Sequence, residues 1–379
     1  MDRDAIRKLA NSANREERRK ADRIFRISSV LKAGAEFTTG NGKINQVIMT
    51  ATNKVYLKAR NGQETISISV GKIKKMLAYF LRVRVVERKE LEIFHAHSSA
   101  LFGLLAAIYG KKSKINRLGR GCLRLIMNGI RLFFAGFERS PGDLREAVRH
   151  GAKHVLASYF YTRSSSRWRF YLEKFKLRCI LDSGAFSAWM AQRNGRKVDP
   201  LDIDQYIEFI RANDDVIDHY FAFDYIGDWR RTMQALRYME QKQMAPIPIF
   251  HLGTPMEVLA ELVADGYPVI ALGGTVNQKK SDIEAFFNKV FTLYPDQAFH
   301  GLGVSRAEWL QRYPFFTCDS KAWITVRWKE LILSKYSQLR APQIEVEQRW
   351  NQSVKFWTSL ERPGVYSRYA TNSELRLAS

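Results

Sequence analysis

Cysteine is scarce in this 379-residue sequence. Its three cysteines, Cys122, Cys179 and Cys318, lie far apart and form no CxxC pair. Disulfide frameworks and cysteine-ligated zinc sites need paired or clustered cysteines, so the sequence favours neither. We therefore expect a protein of a reducing, cytoplasmic environment.

Long apolar runs are also lacking. The longest, such as Ser99–Tyr109, are too short to cross a bilayer. The first twenty residues, MDRDAIRKLANSANREERRK, contain no apolar core of the kind that a secretory signal needs. We therefore expect neither a membrane partner nor secretion.

Acidic residues are few in the first third of the chain. Residues 1–130 hold 27 Lys and Arg against 10 Asp and Glu, a net charge of +17, whereas the other 249 residues hold 34 against 28, a net of +6. A basic arm ahead of a nearly balanced body indicates binding to a polyanion, and nucleic acid is the favoured one. The alternative is a basic surface that only aids solubility.

Apolar strands alternate with amphipathic helices after residue 130, which indicates the α/β class. Regular alternation predicts a (β/α)8 TIM-like barrel, and an open doubly wound sheet is weakened as an alternative by the lack of a GxGxxG loop. The eight predicted strands are Leu132–Phe137, His154–Phe160, Cys179–Asp182, His219–Asp224, Ile247–His251, Val269–Leu272, Ala298–Gly303 and Phe315–Asp319.

The whole chain is expected to form three parts. These are a basic α+β domain (1–120), the barrel (121–330) and a helical C-terminal extension (331–379). Between the first two, Asn128-Gly129 separates the apolar runs Cys122–Met127 and Ile130–Phe137. Asn-Gly is a strong hairpin signal, so this stretch predicts a β-hairpin.

Polar and glycine residues end the predicted barrel strands. Because strand C-termini converge on one face of such a barrel, these residues define a candidate site. The strand ends provide Asp182, Asp224, His251, Gly273 with Gly274, and Asp319. An Asp after a strand can simply cap the next helix, but Ser, Thr or Asn would serve as well, so repeated Asp favours a functional role.

This set of side chains permits several functions. Metal-assisted hydrolysis would use the Asp and His groups as ligands, and glycosyl transfer would use one carboxylate as nucleophile and another as acid/base. A non-catalytic nucleic-acid-binding protein is the third possibility. The metal hypothesis would prefer several histidines on the strands, yet the only His-x-His pair, His95 and His97, precedes the barrel.

Five short motifs occur in a fixed order on successive predicted strands. They are LDSGAF (Leu181–Phe186), AFD (Ala222–Asp224), ALGG (Ala271–Gly274), HGLGV (His300–Val304) and an Asp that ends the last strand. In order and spacing they resemble the tRNA-guanine transglycosylase superfamily over Leu132–Lys329. The DSGAF and CDSKAW variants look most like its phage and bacterial DNA-guanine transglycosylase (DpdA-type) relatives.

The resemblance implies a function and a role for each matching position. The enzyme would replace guanine in DNA, less so in tRNA, with a 7-deazaguanine base such as preQ0, without a cofactor, in the cytoplasm (that of the host if a phage encodes it). Asp319 would be the nucleophile and Asp182 the general acid/base. The base would be bound by Asp224, Gly273, Gly274 and Phe186, with Ser183 and Gly184 beside it.

Two departures from the family pattern stand out. The tRNA enzymes carry a structural zinc on a CxCxxC-type cluster and a histidine, and only one cysteine follows Cys179 here, so no metal is expected. His251 replaces the usual glutamine of strand five, and it becomes a candidate base contact. The resemblance does not extend to residues 1–120.

Overall fold

The computed structural model describes residues 3–39, 42–117, 122–326, 329–333 and 338–361. The chain divides into two compact units, Met1–Asn128 and Gly129–Ser379. Each unit has its own hydrophobic core.

The first unit combines helices with two small antiparallel sheets. Its elements are α1 (Arg3–Asn11), α2 (Arg15–Ile27), β1 (Glu36–Thr38), β2 (Ile44–Thr50), β3 (Lys54–Ala59), β4 (Thr65–Ser69), α3 (Val70–Val83), β5 (Val85–Glu87), α4 (Ser98–Tyr109), β6 (Ser113–Arg117) and β7 (Leu123–Met127). One sheet has the order β1-β2-β3-β4 and the other β5-β7-β6.

Strand periodicity places one face of the four-stranded sheet in the core of the first unit. Val47, Val55, Leu57 and Ile68 are fully buried and cluster with apolar residues of α3 and α4. Helix α4 lies close to β1, because a Cβ added at Gly103 would be 2.7 Å from the carbonyl oxygen of Thr38. The opposite face of this sheet is exposed at Met49, Lys54, Thr65, Ser67 and Ser69 and half-buried at Gln46, Tyr56 and Lys58.

The second unit alternates strands and helices. Its elements are β8 (Arg131–Ala135), α5 (Pro141–Arg149), β9 (His154–Ser158), α6 (Tyr159–Thr162), α7 (Arg167–Phe175), β10 (Arg178–Asp182), α8 (Ala185–Arg193), α9 (Ile203–Ala212), β11 (His219–Tyr220), α10 (Trp229–Gln241), β12 (Ile249–His251), α11 (Met256–Ala264), β13 (Val269–Gly273), α12 (Lys280–Leu293), β14 (Ala298–Gly301), α13 (Ala307–Arg312), β15 (Thr317–Ser320), α14 (Ala322–Thr325), β16 (Leu331–Leu333), β17 (Gln338–Arg340) and α15 (Val346–Ser359).

Eight of these strands form one curled parallel sheet. Its order is β11-β10-β9-β8-β15-β14-β13-β12. The segments next to the two outer strands also meet: Phe221, directly after β11, and Ile247, two residues before β12, form an isolated parallel bridge, and the Ala222 N–H donates to the Ile247 carbonyl at 2.9 Å. The predicted α/β class is confirmed, and the sheet is compatible with a TIM-like fold.

The predicted hairpin at Asn128-Gly129 is wrong. Strand β7 pairs antiparallel with β5 and β6, whereas β8 pairs parallel with β9 and β15. Both edges of each strand are therefore occupied by other partners, and none is left for pairing with each other. Gly129 does adopt the left-handed conformation of a tight turn, with φ of 92°, but this turn joins two different sheets.

The segment after β15 is only partly helical. Strands β16 and β17 pair antiparallel and α15 follows them, while residues 362–379 lie outside the described residues. Glu361 ties this segment to the N-terminal ends of two sheet strands: its Oε1 accepts a hydrogen bond from Leu132 N at 2.8 Å and lies 3.1 Å from His154 Nδ1. Across the described ranges, every helix is too short or too polar to span a membrane.

Candidate active site

The carboxyl ends of the parallel strands place polar groups above an apolar plug. Phe133, Leu156, Ile180, Ile249 and Ala271 form a separate buried cluster with side chains from five strands. Side chains two residues apart on a strand share a face. Asp182 follows Ile180 by two, His251 follows Ile249 by two, and Asp319 pairs in register with Phe133, so these three polar residues share the face of the plug.

Asp182 has a strongly perturbed carboxyl group. Burial is the largest cause and raises its pKa to about 7, although the hydrogen bond from the Gly184 N–H lowers it; the charges of Asp224 and Asp319 raise it further, and the Lys321 ammonium lowers it slightly. The three predicted carboxylates therefore lie close enough for their charges to interact. A carboxyl group that is half protonated near neutral pH can both donate and accept a proton.

The structure does not make Asp182 the cap of the following helix. Helix α8 begins at Ala185, and its N-cap is Gly184, which has φ of 81°. Asp182 Oδ2 accepts a hydrogen bond from Gly184 N at 2.9 Å, which fixes one oxygen of the carboxyl group. A Cβ at Gly184 would lie 2.5 Å from Phe160 N, so packing of this turn against Phe160 explains the glycine.

A second polar cluster joins the ends of β10, β11 and β12. Asp224 is buried, and its Oδ1 accepts from the Thr232 hydroxyl at 2.9 Å while Oδ2 lies 3.3 Å from His251 Nε2. The backbone N–H of Asp224 donates to Ser183 Oγ at 3.4 Å. Burial lowers the pKa of His251, but the adjacent Asp224 carboxylate outweighs burial and leaves that pKa raised.

The predicted glycine pair lies beside this imidazole. A Cβ at Gly273 would be 3.4 Å from the His251 ring and 3.3 Å from Leu302, and Gly274 has φ of 74° with Leu252 N only 3.0 Å from the Cβ position. A side chain at either position would therefore crowd the strand end. Phe186 is part-exposed on α8, and its ring lies 5.9 Å from that of Trp189.

Asp319 is held by two donors on a single oxygen. Its Oδ1 lies 3.2 Å from His300 Nε2 and accepts from Gly303 N at 2.9 Å. His300 is fully buried, and its Nδ1 lies 2.7 Å from the Thr317 hydroxyl. Both bonds orient the carboxylate through Oδ1. Within the described part of the chain, Oδ2 receives no hydrogen bond.

Two residues of the site were not selected from the sequence. His300 opens the HGLGV motif without a predicted role; both of its ring nitrogens have partners, and one of these is Asp319. Lys321, two residues after Asp319, was not considered. Its stem lies across Gly136, its ammonium is 5.6 Å from the centre of the Tyr161 ring, and its charge lowers the pKa of Asp182. Both residues lie inside quoted motifs, HGLGV and CDSKAW, and this was the only sequence signal for either.

Other features of the described residues do not compete with this cluster. No group of three or more His, Cys, Asp or Glu side chains among them is arranged to hold a metal ion. A groove of about 600 Å³ is lined only by residues of α10 and α11. A groove of about 650 Å³ lies in the first unit, beside Arg88 and His97. Neither includes a strand-end carboxylate, so the strand ends remain the candidate site on chemical grounds.

Comparison with known proteins leaves the family open. No protein-family model and no curated protein matches the chain. Solved structures do match, among them one described as "Structural study of Project ID from Aquifex aeolicus VF5". That structure is 11% identical, with a TM-score of 0.38 over 62% of this chain and 93% of its own. Similarity at this level indicates no function.

Proposed function

We propose that the protein replaces guanine in nucleic acid, DNA in preference to tRNA, with a 7-deazaguanine base through a covalent aspartyl-glycosyl intermediate. The observation that carries this proposal is the contrast between two carboxyl groups of one site. Asp182 has a pKa raised to about 7, whereas Asp319 receives two hydrogen bonds on one oxygen. Retaining glycosyl transfer needs such a pair, one acid/base and one nucleophile.

The reaction would proceed in two displacements. Asp319 Oδ2 attacks C1′ of the nucleotide, the C1′–N9 bond breaks, and its electron pair leaves with guanine, which takes a proton from Asp182. The incoming 7-deazaguanine then gives its N9 proton to Asp182 and attacks C1′, and the bond to Asp319 breaks. Asp182 returns to its protonated form, so protons and charge balance over one cycle.

The cluster around Asp224 supports recognition of the base. An ionised carboxylate has about four acceptor positions, and Thr232 and His251 approach one oxygen each. Asp224 therefore retains capacity to accept from the Watson–Crick edge of a purine. The raised pKa of His251 favours the imidazolium form, in which both ring nitrogens donate, and the N–H of the exposed residue Gly274 would serve the exocyclic oxygen.

The proposal also covers the closure of the barrel, the role of the N-terminal unit and the location of the enzyme. We infer that the curled sheet is a (β/α)8 barrel, whose strand C-termini hold the site as in other barrels. The N-terminal unit would be a basic domain that binds backbone phosphates while a base is flipped out of the duplex. The resemblance to guanine transglycosylases supports a cytoplasmic enzyme that acts on DNA.

The decisive test is base exchange. Purified protein is mixed with labelled guanine and either duplex DNA or tRNA, and label in the polymer is measured. We expect incorporation into DNA above tRNA, and its loss in Asp319→Asn. Asp228→Asn is the matched control, because Asp228 is an exposed cap of α10 and asparagine caps equally well. No label in either polymer, or equal activity of Asp319→Asn and wild type, would refute the proposal.

A further inference from the structure

The four-stranded sheet of the first unit has one face that no part of the described chain covers fully. Strand alternation turns Val47, Val55, Leu57 and Ile68 inward, so the neighbouring positions point outward. We call these positions the outer sheet face: Gln46, Met49, Lys54, Tyr56, Lys58, Thr65, Ser67 and Ser69.

Cross-strand register arranges this face in rows. Lys58 lies between Gln46 and Thr65. Tyr56 lies between Met49 and Ser67 in the next row. Lys54 faces Ser69 in the third. Lys54 and Lys58 therefore flank Tyr56 along β3, each about 7 Å from it by the rise of a strand.

The charge of the outer sheet face is positive. Strands β2, β3 and β4 contain no Asp or Glu. Neither Lys54 nor Lys58 forms an ion pair with any described residue. On β1, Glu36 stands opposite Gln46, but it lies 4.0 Å from Arg60 and is thereby partly neutralised. The two lysines are therefore available to an external anion.

An apolar spot lies between these cations. Met49 is 49% exposed beside Tyr56, and Ile48, at the irregularity between Val47 and Met49, is 43% exposed. These two adjacent side chains and the Tyr56 ring provide a small apolar contact area on an otherwise polar sheet face. The pattern combines flat, apolar contact area with cations on both sides.

We propose that the outer sheet face binds single-stranded nucleic acid. Bases would stack on Tyr56 and contact Met49, while Lys54 and Lys58 would contact phosphates. Sequence-tolerant single-strand binding uses this combination of aromatic platforms and basic residues. A flat sheet suits unpaired bases better than a duplex, whose grooves are read by protruding elements. The inference goes beyond base exchange and does not depend on it.

The test measures binding of the full chain to a fluorescent single-stranded oligonucleotide across salt concentrations, with no free base present. Tyr56→Ala should weaken binding about tenfold, and Tyr56→Phe, which keeps the ring, should restore it. Lys54→Ala/Lys58→Ala should weaken binding and lower the slope of log affinity against log salt by about 1.4, since a single-strand phosphate contact contributes about 0.7.

The matched control is Lys111→Ala/Lys112→Ala, which removes two exposed lysines of the same unit away from this sheet. It should leave affinity and salt slope unchanged. Equal weakening by the control would overturn the proposal in favour of diffuse charge attraction. The proposal would also be overturned if the Tyr56 and Lys54/Lys58 variants lost binding only to duplex DNA, or only to vesicles of anionic lipid, and kept their affinity for the single strand. This assay contains no free base and measures binding alone. A failure of the binding proposal would therefore not count against base exchange, which is tested separately by label incorporation.

Discussion

His300 Nε2 lies 3.2 Å from Asp319 Oδ1, and the opposite ring nitrogen lies 2.7 Å from the Thr317 hydroxyl. The three residues come from neighbouring strands β14 and β15, and His300 is fully buried. A buried imidazole with partners on both nitrogens has little freedom to rotate. It therefore fixes the orientation of Asp319 from below the site.

Under the proposed mechanism, His300→Leu should lower the rate of covalent adduct formation by about 10- to 100-fold, because Asp319, the proposed nucleophile, would be misplaced even when substrate binds. The KM for the base should change little. His300→Gln can still donate to Asp319 and should recover much of the rate. Rapid-quench trapping of the protein–DNA adduct measures the step. Equal rates in the Leu and Gln variants would argue for a purely structural role.

Asp182 predicts a specific dependence of stability on pH. In the unfolded chain its carboxyl ionises near pH 4, whereas in the folded protein the pKa is raised to about 7. Between these values the folded state holds a proton that the unfolded state has lost, so the contribution of Asp182 to the free energy of unfolding falls as pH rises.

Asp182→Asn removes that loss. The free energy of unfolding of this variant relative to wild type should rise between pH 4 and pH 7 and then level off. The total rise should be a few kcal/mol at most, because only one carboxyl group is involved. Urea denaturation at several pH values measures this difference. The exposed Asp228→Asn should show no comparable rise, and a flat difference for Asp182→Asn would contradict the prediction.

The strand-end residues were predictable because apolar runs that stop at Asp or Gly mark buried parallel strands. Strands β10 and β13 follow that pattern closely. Strand β11 was predicted to reach Asp224 but ends at Tyr220, because Phe221 and Ala222 pair with Ile247 only as an isolated bridge. Local sequence does not carry that information, since it depends on how the curled sheet meets itself.

The contact between His300 and Asp319 was not predictable for a related reason. It needs the register of β14 against β15, which pairs His300 with Thr317 and Gly301 with Cys318. The hairpin prediction failed because Asn128-Gly129 specifies a turn, not the partners of the strands on either side. The partners of β7 and β8 depend on the sheets into which each strand fits, and these sheets are built from residues far away in the sequence.

Asp224→Asn should lower the pKa of His251. Burial alone lowers that pKa, and only the adjacent carboxylate raises it above the ordinary value. Removing the charge should therefore bring it below about 6.5, the unperturbed value for histidine. An NMR titration of the ring C–H signals, assigned with His251→Gln, measures the change. The same titration midpoint in Asp224→Asn and wild type would disprove the coupling.

Gly184→Ala should destabilise the protein by roughly 2 to 6 kcal/mol. Alanine is strained at a φ of 81°, and its Cβ would meet Phe160 N at 2.5 Å. Gly142→Ala is the matched control, since its Cβ position in α5 has no neighbour within 4 Å. That change should be neutral or stabilising, by about 0.5 to 1 kcal/mol. Thermal denaturation of both variants measures the contrast.

Glu361 should stabilise the fold from the end of the sheet opposite to the carboxylate site. Burial raises its pKa, but His154, the Leu132 N–H and Arg131 outweigh burial and leave that pKa lowered. A lowered folded pKa means stabilisation that is present above the unfolded value near 4.5 and is lost as pH falls through the folded value.

Glu361→Gln should therefore cost about 1 to 3 kcal/mol at neutral pH, and the difference from wild type should shrink as the solution is acidified. Urea denaturation at pH 7 and below pH 4 measures both values. The exposed Glu208→Gln, in the middle of helix α9, should have little effect at either pH.

Since Leu132 and His154 are at the start of β8 and β9, Glu361→Gln should leave the pKa of Asp182 unchanged. A shift in that pKa would mean that the C-terminal segment also shapes the site.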